Sequence, residues 1–270
     1  MTDSREYRIP DEALGSYRES IYFHHMVGTG GNTLAKTISL SGSKYELVQV
    51  THGANNYIAG DQSILNRGGP VLYYGHNLLG LPDQIDPSVQ YMTILRNPFD
   101  RLVSDFFWLH QHESRCDVMD SFVQFVDSSD HLEFYIHHCG VLNYENRQHF
   151  SPAECSRLPN DKAYALARQR LDNRFWFVGC MELFEESLFV LAMRAGLKTV
   201  TPWWLYRHPR TPFRPNLYDL PASLRRTIAT KTVYDMELWE HYRARLEEVM
   251  LEVNLGPDFR QYCNDAYPKG

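Results

Sequence analysis

The stretch IYFHHMVGTGGNTLAKTI, residues 21–38, decides the architecture: an apolar run enters a glycine turn at Gly28-Thr29-Gly30-Gly31 and leaves it on a helical pattern. The first six residues suit a buried strand, and residues 32–40 place apolar side chains at three- and four-residue spacing. Glycines at such a junction let backbone N–H groups approach an anion at the start of the following helix, where the helix dipole also favours negative charge. Gly28, Thr29, Gly30, Gly31, Asn32 and Thr33 are therefore candidate phosphate-cradling positions. No Gly-Lys-Ser/Thr ends the turn, so it is not a Walker A loop, and taken alone it is equally a structural turn.

Working outward, further short runs rich in β-branched and aromatic residues fall at 45–50, 71–74, 91–95 and 175–178. Helical patterns lie between and after them at 101–109, 163–171 and 185–195. Strands separated by helices imply parallel pairing, so the expected fold is α/β, with a central parallel sheet of about five strands flanked by helices. From Ser223 onward, two helices broken near residues 232–235 are expected, the second carrying Leu238, Tyr242 and Leu246 on one stripe. Residues 201–218 hold four prolines, two tryptophans and several arginines, and read as a loop. No repeat or linker divides the 270 residues, so one domain over 1–270 is expected.

The second chemical segment is YMTILRNPFDRLVSDFFW, residues 91–108. Arg96 stands at the carboxyl end of a strand and Ser104 on the helix after it, where open α/β sheets bind their ligands. A guanidinium fork with a nearby hydroxyl suits a phosphate, although an isolated arginine there is more often half of an ion pair. The third is VLYYGHNLLGL, residues 71–81, in which His76 follows a short apolar strand. An imidazole titrates near neutrality and can take a proton from a hydroxyl, although a lone histidine at a strand end more often only hydrogen-bonds its surroundings.

These segments together resemble the sulfotransferases that use 3′-phosphoadenylyl sulfate (PAPS), particularly the branch of heparan sulfate 2-O-sulfotransferase and its bacterial relatives. FHHMVGTGGNTL is similar to the family's 5′-phosphosulfate loop. ILRNPFDRLVS is similar to its 3′-phosphate motif, an arginine with a serine eight positions on, here Arg96 and Ser104. The Gly-His segment resembles the one whose histidine is the general base, which the resemblance places at His76. FWFVGCMELFEESLFVL and ENRQ, residues 175–191 and 145–148, resemble later segments of the family in the right order.

The resemblance implies a P-loop-like sulfotransferase fold, PAPS as co-substrate, adenosine 3′,5′-bisphosphate (PAP) as product, and no metal. It also implies a saccharide or small-molecule acceptor with a hydroxyl or amine. One departure stands out: Gly28 occupies a position where the family usually has a lysine. Arg96, Arg67, Lys36 and Lys44 are the cations that sequence offers in its place. The missing lysine raises an alternative, a catalytically silent homologue that binds nucleotide as a sensor or scaffold. A nucleotide kinase on a related fold is the weaker reading, because it needs the Walker lysine and a magnesium carboxylate.

Bulk composition narrows the partners. A net charge of -6 gives no field for phosphate backbones, so neither nucleic acid nor an anionic membrane is an expected partner. The N-terminal residues lack the basic and apolar blocks of a signal peptide and no run reaches transmembrane length, so the expected location is cytoplasmic. Five scattered cysteines form neither a disulfide framework nor a zinc motif. The histidine pairs His24-His25 and His137-His138 carry no metal-ligand motif and read as structural or surface groups. The aromatic segments 106–108 and 203–206 fit a core, an acceptor wall or a subunit interface equally, and the oligomeric state stays open.

Overall fold

The computed structural model describes residues 7–9, 14, 20–26, 28–29, 33–34, 37–38, 45–49, 51–52, 58–59, 70–75, 87–112, 114–129, 132–141, 158–200 and 214–253. Its strands are β1 (Tyr7–Arg8), β2 (Ser20–His24), β3 (Glu46–Gln49), β4 (Thr51–His52), β5 (Ile58–Ala59), β6 (Val71–Gly75), β7 (Gln90–Leu95), β8 (Phe175–Cys180) and β9 (Thr199–Val200). Five of them form one sheet in the order β3-β6-β2-β7-β8. Every neighbouring pair in that sheet is parallel. The expected α/β architecture is thus the one observed. Two short antiparallel pairs, β1 with β9 and β4 with β5, lie outside it and have no counterpart in the sequence reading.

The central strands are apolar on both faces, as parallel strands covered on both sides must be. In β2, Ile21, Tyr22 and Phe23 are almost wholly buried, and so are Tyr91, Met92, Ile94 and Leu95 of β7. Each such side chain contributes about 1.5–3 kcal/mol on burial. Thr93 Oγ1, between them, donates to the His24 carbonyl at 2.8 Å, which ties β7 to β2 beside the ladder.

The described helices are α1 (Pro98–Leu109), α2 (Arg115–Ser128), α3 (Asn160–Arg174), α4 (Phe184–Arg194), α5 (Ala222–Lys231) and α6 (Val233–Glu252), with a π-helix over Ile136–Val141. Residues 33–34 and 37–38 are helical too, inside the helix expected after the glycine turn. Helix α1 starts three residues earlier than its apolar spacing suggests. Asn97 caps it by accepting from the N–H groups of Phe99 and Asp100, and Pro98 fills a first-turn position that needs no N–H. The expected break near 232–235 falls at Thr232, between α5 and α6, and Leu238, Tyr242 and Leu246 are all buried. The π-helix lies so close to α3 that a Cβ on Gly140 would sit 2.3 Å from the Ala163 carbonyl oxygen.

Two helix starts cap each other across this packing. Asp235, fully buried in the first turn of α6, accepts from the N–H groups of Phe134, Tyr135 and Ile136 at 2.5, 2.8 and 2.9 Å. Glu133 returns the interaction, accepting from the N–H groups of Tyr234 and Asp235 at 2.8 and 2.7 Å. Burial, and then the nearby Asp235 carboxylate, push Glu133 from its ordinary 4.5 up to about 7. The folded chain thus holds this proton more tightly than the unfolded one. The associated stability is full below the ordinary value and is lost as pH rises through about 7. Urea midpoints between pH 5 and 8 should fall more steeply for the wild type than for Glu133→Gln; parallel curves would show that Glu133 does not titrate there.

Candidate functional site

Strand order builds the site. β3 and β6 lie on one side of β2 and β7 and β8 on the other, so β2 is where the chain switches direction, and open α/β sheets bind ligands outside the carboxyl ends at that point. Three sequence-chosen segments leave the sheet there: the glycine turn after β2, Arg96 after β7, and the end of β6. Gly75, the last residue of β6, is in register with His24, and its carbonyl accepts the His25 N–H at 3.1 Å. His76 itself lies outside the described residues, as do Gly30, Gly31, Asn32, Lys36, Lys44, Arg67 and residues 145–148.

Within the turn, Gly28 has φ of +79°, a left-handed conformation that side-chain-bearing residues avoid. A Cβ there would also come within 3.2 Å of Arg101 Cγ. Both facts disfavour a side chain such as lysine at this position in this chain. Thr29 is fully buried and its hydroxyl donates to the Met26 carbonyl at 2.7 Å, so its side chain braces the turn from within. Thr33 is buried in the helical segment that follows.

The two chemical segments meet at one hydrogen bond: Arg96 Nη1 donates to the Gly28 carbonyl at 3.0 Å. Burial lowers the Arg96 pKa against the opposing pull of Asp100 and Glu182, while an arginine keeps its charge under any ordinary condition. The guanidinium is therefore a permanent cation in a partly desolvated place, where its attraction for an anion is stronger than in water. Arg101, one turn into α1, is no substitute. Its guanidinium stacks 3.9 Å over the Phe134 ring and pairs with Asp105 at 3.7 Å.

Ser104 is partly buried on α1, and its hydroxyl accepts from Nη1 of Arg214 at 3.3 Å. The structure thus does not join Ser104 to Arg96 directly. It adds Arg214, from the end of the proline-rich segment, a residue that sequence reasoning placed only among several arginines of a loop. Two more positions went unread. Tyr135 holds the Arg96 backbone, and Glu182 accepts from the Asn97 N–H at 2.8 Å and from Trp239 Nε1 at 3.0 Å.

Of the paired histidines, His24 is 1% exposed beside Tyr22 and Phe175, and His25 stacks on Phe23. Cys139 and Cys180 are buried free thiols, both pushed up in pKa by burial. Among the described residues no cluster of three or more His, Cys, Asp or Glu could hold a metal ion, and no helix is long and apolar enough to cross a membrane.

No family model matches the chain, and no curated protein matches it. Among solved structures, a sulfotransferase from Alicyclobacillus acidocaldarius is similar over 87% of this chain and 96% of that one, with 15% sequence identity and a TM-score of 0.43. No residue's role is carried over from it.

Proposed function

We propose that this chain transfers a sulfuryl group from PAPS to a hydroxyl or amine on a saccharide or small-molecule acceptor. The observation that carries the reading is the contact between Arg96 and Gly28, which unites two separately recognised phosphate motifs at the switch point of a parallel sheet. In this reading the glycine turn offers backbone N–H groups to the 5′-phosphosulfate, and Arg96 with Ser104 receives the 3′-phosphate. Arg214, already on the Ser104 hydroxyl, brings a second guanidinium to that phosphate. His76 takes the acceptor's proton as the acceptor oxygen or nitrogen bonds to sulfur and the bond from sulfur to the bridging oxygen breaks. PAP then leaves with its charge met by backbone donors and arginines.

Titration calorimetry with PAP and with adenosine 5′-monophosphate tests the nucleotide half of this reading, because only PAP has the 3′-phosphate. Arg96→Ala should weaken PAP binding by about 1.5–3 kcal/mol, the value of a hydrogen bond to a charged group, and leave the monophosphate much less affected. An Arg96→Ala protein that binds PAP as the wild type does would assign the arginine to the fold alone.

The glycine at position 28 favours a second reading, a nucleotide-binding chain that does not turn over. The two differ in one measurement. An acceptor screen with isotopically labelled PAPS, read by mass spectrometry, yields PAP and a sulfated acceptor in the first case and bound, intact donor in the second.

A further inference from the structure

Arg96 stands one residue beyond β7, where the sheet's hydrogen bonds have ended. A single side chain takes over both of its backbone groups: the Tyr135 hydroxyl accepts the Arg96 N–H at 2.9 Å and donates to the Arg96 carbonyl at 2.8 Å. Tyr135 is fully buried, and burial raises its pKa far above the ordinary phenol value, so the hydroxyl keeps the proton it donates. Its own backbone is fixed in turn, since its N–H goes to the buried Asp235 carboxylate together with those of Phe134 and Ile136. Arg96 is consequently held at both ends, by Tyr135 at the backbone and by the Gly28 carbonyl at the guanidinium.

We propose that Tyr135 is a positioning residue for the nucleotide site, presetting Arg96 so that the guanidinium meets the 3′-phosphate without first being ordered. The role rests on the PAPS reading above. A phosphate-binding arginine on a free strand end would have to be immobilised by each ligand that arrives, and that entropy cost would be subtracted from affinity. Here the fold has already met it. The hydroxyl is buried and engaged with both backbone groups of Arg96, so its removal acts on binding through Arg96.

Tyr135→Phe keeps the ring and deletes the hydroxyl. The readout is the preference for PAP over adenosine 5′-monophosphate, a ratio that a reduced folded fraction leaves unchanged because both affinities fall alike. Tyr135→Phe should lower this preference about threefold to tenfold, the cost of immobilising one rotamer-rich side chain. In an Arg96→Ala background the same substitution should leave the ratio where Arg96→Ala alone puts it. A wild-type ratio in Tyr135→Phe, or an equal effect with and without Arg96, would overturn the positioning role. Should Tyr135→Phe not fold, Asp235→Asn loosens the same backbone while keeping the hydroxyl; a lower melting temperature with an unaltered ratio overturns the role as well. A wild-type protein that binds both nucleotides alike overturns the functional reading itself, a result distinct from either of these.

Discussion

Asp235→Ala should cost about 3–5 kcal/mol of stability, the range for removing one member of a buried charged arrangement and stranding its partners. Three backbone N–H groups, those of Phe134, Tyr135 and Ile136, lose their acceptor at once, and Asp235 is fully enclosed. Each buried donor left unsatisfied costs about 1–3 kcal/mol, offset in part by relief of the crowding between two carboxylates. Asp235→Asn should be milder, because its amide oxygen still accepts. Urea unfolding monitored by far-ultraviolet circular dichroism gives the number. A loss below about 1 kcal/mol would mean that the segment before the π-helix repacks with new acceptors, which the close approach of Gly140 to Ala163 argues against.

The reciprocal cap also marks where sequence reading stops. The five sheet strands were legible because buried parallel strands are dense in β-branched and aromatic residues, and their ends moved by only one or two positions. Helix α2 was not, although Ser114 and Asp117 form a capping pair that announces its start. Its apolar residues, among them Val118, Phe122 and Val126, pack against α1 and α5 in a cluster separate from the sheet's core. The π-helix went unread: α3 packs closely on Gly140, a tertiary fact absent from the string IHHCGV.

The site divides along the same line. Arg96, Ser104 and the glycine turn could be named as candidates because each belongs to a local pattern with a chemical meaning. Tyr135 was not, since its partners are the backbone atoms of a residue 39 positions away, and backbone atoms leave no mark in a sequence. Arg214 lay among other arginines, and only folding brings one of them to Ser104. Gly28 was read as a departure from a family pattern. Its positive φ and the stem of Arg101 beside it give that departure a local physical reason, since both disfavour a side chain there.

His76→Ala should lower turnover by about 10² to 10⁴-fold while leaving PAP affinity within about twofold of wild type, because a general base acts on the acceptor's proton and not on the nucleotide. The separation of the two readouts is what makes the test specific. Arg96→Ala should move binding, and His76→Ala only the chemical step. β6 ends at Gly75 in register with His24, so the end of that strand lies beside the end of β2, from which the glycine turn departs. The pH profile supplies an independent arm. An unperturbed imidazole titrates at about 6.5, and a base must be neutral to act, so wild-type activity should rise with pH through that region while the residual activity of the variant loses the limb. The acceptor for this measurement should carry a hydroxyl, since an amine would deprotonate over a similar range and imitate the limb. Unchanged turnover in His76→Ala with a verified acceptor removes the assignment and passes it to His149, because His24 and His25 are packed inside the sheet's core.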